Sequence, residues 1–249
     1  MSIPIDLSGK TALITGATRG IGRAIADVFN EAGANVLLTG TKQSEIDQLN
    51  SENEDQAIKW IMADFSTLDR INLFTNGLKY MNPIDICVNN AGINIIKPFD
   101  EVSHKEYEQL MSVNLSAPFS IVQSIIPNMK KQNYGRIVNI ASIWSQISKS
   151  GRSLYTTSKT GLVGFTKAIA VEYAQSNILV NAVSPGFTLT ELTKQSLTKN
   201  EMKELSGQIP MERFAEPNEI AKTVLFLCSD LNTYITGQNI TADGGFTLV

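Results

Sequence analysis

The chain has 249 residues, of which 43% are hydrophobic and 18% charged, with a formal net charge of −3. This length suffices for one sizeable core, and the mild acidity provides no broad basic field for nucleic acid. No uninterrupted apolar run approaches the roughly 18 residues of a bilayer span, and Met1–Lys10 lacks the basic-then-apolar build of a secretory leader, so one cytoplasmic domain, with neither membrane nor nucleic acid as partner, is expected over residues 1–249.

Short aliphatic and β-branched runs alternate with stretches of helical periodicity, the pattern of βαβ units. Strands are predicted at Lys10–Gly16, Asn35–Thr39, Ile58–Ala63, Ile84–Asn89, Arg136–Ala141, Ile178–Val183 and Gln238–Ala242. Helices are predicted at Gly20–Ala32, Gln43–Asn50, Leu68–Tyr80, Lys105–Lys131, Leu154–Gln175 and Glu216–Ser229. The fold class expected is α/β, a single-domain Rossmann fold with a doubly wound, seven-stranded parallel sheet covered by helices on both faces. Residues 187–215 break the alternation with polar, short-periodic helical character after the sixth strand, where an inserted segment can close over a ligand. Cys87 and Cys228 lie in apolar stretches and read as buried free thiols. With His104 the only histidine, in a polar segment, no metal set is expected.

Directly after the first strand comes Thr15-Gly16-Ala17-Thr18-Arg19-Gly20-Ile21-Gly22, followed by an amphipathic helix. Such glycines let the backbone turn tightly and bring a helix amino terminus, with its free N–H groups, up to a pyrophosphate. The second strand ends Leu38-Thr39-Gly40-Thr41-Lys42, with no acid until Glu45. A carboxylate there suits NAD, whereas its absence beside Arg19, Thr41 and Lys42 favours NADP(H) over NAD(H). Asp64, followed by Phe65, ends the third strand where a carboxylate can accept from an adenine amino group, while Ser66 or Thr67 is better placed to cap the next helix. Asn89-Asn90-Ala91-Gly92 makes an abrupt turn after the fourth strand, and its amides are expected to hold the loop and the ribose region.

Tyr155 and Lys159 stand four residues apart at the start of a long helix, on one face and one turn apart. Reduction of a carbonyl needs a proton for the developing alkoxide, and an ammonium beside a phenol is expected to lower the phenol's pKa. Ser142, ending the fifth strand, is positioned to polarise a carbonyl oxygen. Trp144 beside it either narrows the pocket, stacks on a sugar ring or packs internally.

These motifs, with Asn114 in Val113-Asn114-Leu115 and Pro185-Gly186 followed by Thr188 and Thr190, resemble the short-chain dehydrogenase/reductase family in order and spacing over essentially the whole chain. Within it, GATRGIG, NNAG, Met129-Lys130-Lys131 and the closing ITGQNITADGG are similar to 3-oxoacyl-[acyl-carrier-protein] reductases. Ala174–Asn177 and the bulky Ile143–Lys149 loop depart from them. The resemblance implies an NADP(H)-dependent oxidoreductase with Asn114, Ser142, Tyr155 and Lys159 as catalytic residues. In it, Asn114 holds a water that passes protons through Lys159 to Tyr155, and Lys159 binds the nicotinamide ribose. Pro185, Gly186, Thr188 and Thr190 line the nicotinamide and its phosphates, and 187–215 is the substrate loop. A homotetramer built through the two long helices and a small carbonyl or alcohol substrate, acyl thioesters included, are also implied. Two alternatives are a sugar, polyol or glycan-precursor dehydrogenase and a non-catalytic nucleotide-binding protein.

Overall fold

The computed structural model describes residues 4–54 and 56–249. Seven parallel strands form one sheet in the order β3-β2-β1-β4-β5-β6-β7: β1 (Thr11–Ile14), β2 (Asn35–Gly40), β3 (Ile58–Met62), β4 (Ile86–Asn89), β5 (Gly135–Ile140), β6 (Ile178–Pro185) and β7 (Asn239–Ala242). All seven predicted strands are present, and the sheet is parallel and doubly wound as expected.

Alternation along the strands sends successive side chains to opposite faces. Ala12 and Ile14 of β1 pack into one core layer with Ile25 and Phe29 of α1 (Gly20–Glu31) and Val224 and Leu227 of α9 (Pro217–Cys228). Leu13 between them joins the opposite layer, with Ile71 and Phe74 of α3 (Leu68–Leu78), Ile121 and Met129 of α5 (Ala117–Gln132) and Ala170 of α6 (Ser153–Tyr173). Both faces are thus dry, which is why the strands read as nearly continuous apolar runs. Helix α2 (Gln43–Glu52) adds the buried Ile46 and the partly buried Leu49 to the first layer. Both cysteines are fully buried free thiols, and burial pushes Cys87 up to about 12.

One expected helix is built differently. Lys105–Lys131 is not a uniform α-helix: α4 (His104–Met111), capped by Ser103 with Glu106 reaching back to it, continues through a π-helical turn at Ser112–Ser116 into α5. The extra residue in that turn coincides with Asn114, whose side chain is claimed by the chain at Ile93. By length and hydropathy, His104–Gln132 would also suit a membrane crossing, although 56% of its apolar window is buried inside the protein. Beyond β6, residues 187–215 hold two short helices, α7 (Glu191–Ser196) and α8 (Lys199–Ser206), and a parallel bridge between Thr188 and Ala215 closes the insertion at its base.

The sheet order reverses beside β1, whose neighbours are β2 and β4. The loops after β1 and β4 therefore diverge and open a crevice at the carboxyl ends of the strands, the position where open α/β sheets bind ligands.

Candidate active site

The crevice is a cleft of about 680 Å³, within the range of small-molecule sites. Its walls include Gly16, Thr18, Arg19, Gly20, Ile21 and Gly22 from the glycine loop, Thr41 after β2, Asp64 and Phe65 after β3, Asn90, Ala91 and Gly92 after β4, and Thr190 from the insertion. Lys42, Tyr155, Lys159, Pro185, Gly186 and Thr188 were expected beside these residues but do not line it. Lys42 is exposed at the start of α2, and Thr188 is buried, with its hydroxyl turned back to the Gly186 carbonyl.

Buried polar groups shape the glycine loop. The Thr15 hydroxyl accepts from the backbone N–H groups of Asn90 and Ala91, both at 3.0 Å, while Asn90 Nδ2 donates to the carbonyls of Thr15 (3.0 Å) and Gly16 (2.9 Å). The turns after β1 and β4 are thereby stitched into one unit, as expected of the Asn90 amide. Gly16 and Gly20 adopt left-handed backbone angles, φ +65° and +59°, which favour glycine. No side chain caps the amino terminus of α1 at Arg19, so its first-turn N–H groups are available to an anion. A dinucleotide fits these residues: a glycine cradle too tight for side chains, an uncapped helix terminus and exposed Arg19 at its rim.

Thr67 caps α3, accepting from Arg70 N at 3.4 Å, which leaves Asp64 free of that duty. Asp64 Oδ1 accepts from Ser66 N at 2.8 Å, and Oδ2 pairs with Arg70 Nη1. Partial burial pushes the carboxyl up, but the Ser66 hydrogen bonds and the Arg70 charge together hold it below the usual carboxylate value. Arg70 also lines the cleft and was missed in the sequence, where a charged residue in the first turn of an amphipathic helix carries no sign of a ligand role.

The reacting groups gather at the carboxyl ends of β4 and β5 and the start of α6. Ser142 is buried, and its Oγ accepts from Trp144 N at 3.2 Å as it caps the 3₁₀ turn Ile143–Ser145. Ser145 Oγ donates to the Ser142 carbonyl at 2.7 Å, and Gln146 Nε2 donates to Thr241 Oγ1 at 2.6 Å, so β7 braces this loop. Trp144 is buried, which favours its packing role, and the guanidinium of Arg152 lies 5.1 Å from its ring centroid. Lys159 is buried, its Nζ donates to the Ile140 carbonyl at 2.7 Å, and it stands 5.6 Å from the Tyr155 ring centroid.

The fully buried Asn114 donates through Nδ2 to Ile93 O (2.9 Å) and Ser158 Oγ (3.1 Å), while Oδ1 accepts from Ile93 N (2.9 Å). Ser158 Oγ in turn donates to the Tyr155 carbonyl at 2.9 Å. This chain of bonds joins the π-helical turn, the loop after β4 and the first turn of α6. Ser158 was missed because a serine inside a helix has no distinctive spacing. A Cβ on Gly92 would stand 3.5 Å from both Asn114 Oδ1 and Lys159 Nζ, so amide and ammonium border the same small space.

The expected acidification of Tyr155 by Lys159 is not what the surroundings produce. Burial raises the phenol's pKa above its ordinary value, and the Ser142 hydrogen bond and the Arg152 charge offset this only in part. Burial also pulls Lys159 down to about 8. Desolvation is the largest influence on each group and outweighs the Ser142 hydrogen bond and the Arg152 charge at Tyr155, so both favour their neutral forms.

A doubly wound sheet with a glycine cradle at its switch point, and with buried Ser142 and Lys159 beside a half-buried Tyr155, defines a nucleotide-dependent oxidoreductase of carbonyls and alcohols. A family model described as enoyl-(acyl carrier protein) reductase matches residues 16–247. The chain is 42% identical to the 3-oxoacyl-[acyl-carrier-protein] reductase FabG of Aquifex aeolicus over 246 residues, 97% of this chain and 98% of that one. It is 34% identical to an acetoacetyl-CoA reductase of an Acinetobacter species, covering 95% and 97% of the two chains. The crystal structure of a gluconate 5-dehydrogenase from Burkholderia cenocepacia, in complex with NADP and tartrate, superposes with a TM-score of 0.89 at 27% identity, over 99% of this chain and 98% of that one. The chain belongs to the short-chain dehydrogenase/reductase family and is an NAD(P)-dependent oxidoreductase.

Proposed function

We propose that this enzyme reduces a 3-oxoacyl-type ketone to a secondary alcohol with NADPH, using Tyr155 as the acid. The observation that carries this reading is the grouping of Ser142, Tyr155 and Lys159 at the sheet edge that holds the glycine cradle. When bound, the nicotinamide supplies hydride to the carbonyl carbon. Ser142 Oγ donates to the carbonyl oxygen, and Tyr155 holds the proton that the resulting alkoxide takes. Burial holds the phenol's pKa above its ordinary value, in keeping with a group that donates its proton in the reductive direction. Asn114 positions Ile93 and Ser158, and the space between Asn114, Gly92 and Lys159 accommodates the water through which Lys159 is reprotonated. The 187–215 insertion serves as the substrate loop, bringing Thr190 to the cleft wall.

The preference for NADPH rests on Arg19, which is exposed on the cleft wall without an ion pair among the described residues, and on the absence of an acid at the end of β2. Arg19→Ala is expected to raise KM for NADPH roughly tenfold or more, the loss of a charge-assisted hydrogen bond, and to leave KM for NADH nearly unchanged. Equal effects on the two would mean that Arg19 faces solvent. Steady-state rates on acetoacetyl thioesters and keto-sugars with each nicotinamide test the whole reading. Faster turnover with NADH, or on keto-sugars alone, would favour the second reading, a sugar or polyol dehydrogenase, which the likeness to gluconate 5-dehydrogenase supports.

The pH dependence follows from Lys159. Protons must pass through its ammonium to Tyr155, so reductive kcat/KM should fall as pH rises through about 8, and the oxidative rate should rise over the same window. A reductive profile flat to pH ~10 would remove Lys159 from the relay. The reading includes a cytoplasmic enzyme, in keeping with its free thiols, and a homotetramer. The exposed Phe119 beside Phe165 gives α5 and α6 an apolar strip suited to a second copy.

A further inference from the structure

Arg152 stands three residues before Tyr155, immediately ahead of α6, and is half-buried. Its guanidinium lies over the buried Trp144 ring, whose backbone is tied to Ser142 Oγ. Among the described residues no carboxylate pairs with it, and its side chain takes part in no hydrogen bond, although four of the five ion pairs elsewhere engage an arginine or lysine that is about half exposed or more. A cation kept partly out of water over an aromatic ring and left without an anion is costly to hold there unless something else neutralises it. Its place at the N-cap of α6, three residues before Tyr155, and over the ring of Trp144, whose backbone N–H is bound by Ser142 Oγ, sets it at the reacting end of the sheet rather than on a remote surface.

We infer that Arg152 determines substrate specificity by binding a carboxylate of the substrate, so that the enzyme acts on short 3-oxo acids as free anions in preference to neutral esters or thioesters of the same acids. The inference deepens the carbonyl-reductase reading and rests on it. The spacing decides the length of the acid. Residues three apart at a helix start have Cβ atoms about 5–6 Å apart, so a group bound by Arg152 and a carbonyl oxygen bound by Tyr155 must be separated by only a few bonds. In a 3-oxo acid one methylene separates the keto carbon from the carboxylate, which suits that separation. The planar guanidinium, held by Trp144, can meet the two carboxylate oxygens in parallel. Ser142 and Tyr155 would hold the keto oxygen while Arg152 fixes which end of the molecule faces the sheet.

The test compares acetoacetate with its neutral isostere methyl acetoacetate, with NADPH as donor, in the full-length wild type, Arg152→Gln and Arg152→Lys. The wild type is expected to favour acetoacetate. Arg152→Gln should lower kcat/KM for acetoacetate about 30-fold, mainly through KM, while changing that for the ester by less than about threefold; Arg152→Lys should recover part of the loss. Equal losses on both substrates in Arg152→Gln, or a wild type that prefers the ester, would overturn the inference and leave the reductase reading intact. Failure of the wild type to reduce either compound or a simple diketone would instead sink the reductase reading itself. Saturation transfer NMR of acetoacetate with wild type and Arg152→Gln reads binding apart from turnover, and undiminished transfer in the variant would also overturn the inference.

Discussion

Tyr155→Phe is expected to cut kcat for carbonyl reduction by about 10²–10⁴-fold, the usual worth of a positioned general acid, while NADPH affinity changes by less than about threefold. The substitution removes one oxygen and keeps the ring. What positions the neighbours survives it: Lys159 is anchored on the Ile140 carbonyl, Ser142 on Trp144 N, and Ser158 bonds the backbone carbonyl of residue 155, which the change leaves in place. The cleft walls are likewise independent of the phenol, since Tyr155 does not line them. Burial of the hydroxyl without a strong counter-ion argues for an acid that is protonated until the alkoxide forms, so its loss should appear in kcat rather than in KM. Steady-state kinetics beside fluorescence titration of NADPH separate the two. A variant retaining most of its kcat would show that the proton comes from another group, whereas loss of NADPH binding would show that the phenol supports the cofactor instead.

Much of this arrangement is legible in the sequence, for identifiable reasons. Strands buried on both faces are apolar at most positions, so runs such as Ile86–Asn89 and Ile178–Pro185 stand out without alternation, their buried amides Asn89 and Asn181 being hydrogen-bonded to Asn139 and the Ile235 carbonyl. The glycine loop is legible because only glycine satisfies its geometry, and Tyr155 and Lys159 because a helix makes their spacing meaningful. Three features lie beyond such rules. The π-helical turn at Ser112–Ser116 has no residue signature of its own, since Ser, Val, Asn and Leu are all compatible with a continuous α-helix. Arg70 reaches the cleft only because β3 delivers α3 to its edge, and Ser158 matters only because Asn114 arrives opposite it. The direction of the Tyr155 shift failed for a different reason. Adjacency in sequence reveals which charges meet, but how much water they lose depends on the packing of distant segments, and desolvation here outweighs the attraction.

The second large effect belongs to a residue that bears no side chain. Gly22→Ala is expected to abolish saturable NADPH binding at millimolar nucleotide while leaving the protein folded. A Cβ at position 22 would stand 2.3 Å from the Gly16 carbonyl oxygen and 2.4 Å from Asn90 Nδ2, far inside contact distance. The carbonyl is backbone, and Asn90 is held by bonds to Thr15 O and Gly16 O, so neither can rotate out of the way. The loop must therefore move outward, and the Asn90 clamp that joins the turns after β1 and β4 must open. The same movement displaces Gly16, whose own position is hemmed in by Ala91 Cα at 2.9 Å from its would-be Cβ. Overpacking of this kind costs about 1–3 kcal/mol, within the stability of a domain this size but enough to dismantle a cradle whose anion contacts depend on backbone placement. Gly77, which has open space around it on α3, is the control: Gly77→Ala should bind NADPH like the wild type and gain slightly in helix stability. Isothermal titration with NADPH, alongside thermal melts of both variants, reads the outcome. Undiminished affinity in Gly22→Ala would mean that the glycine loop is not where the phosphates lie.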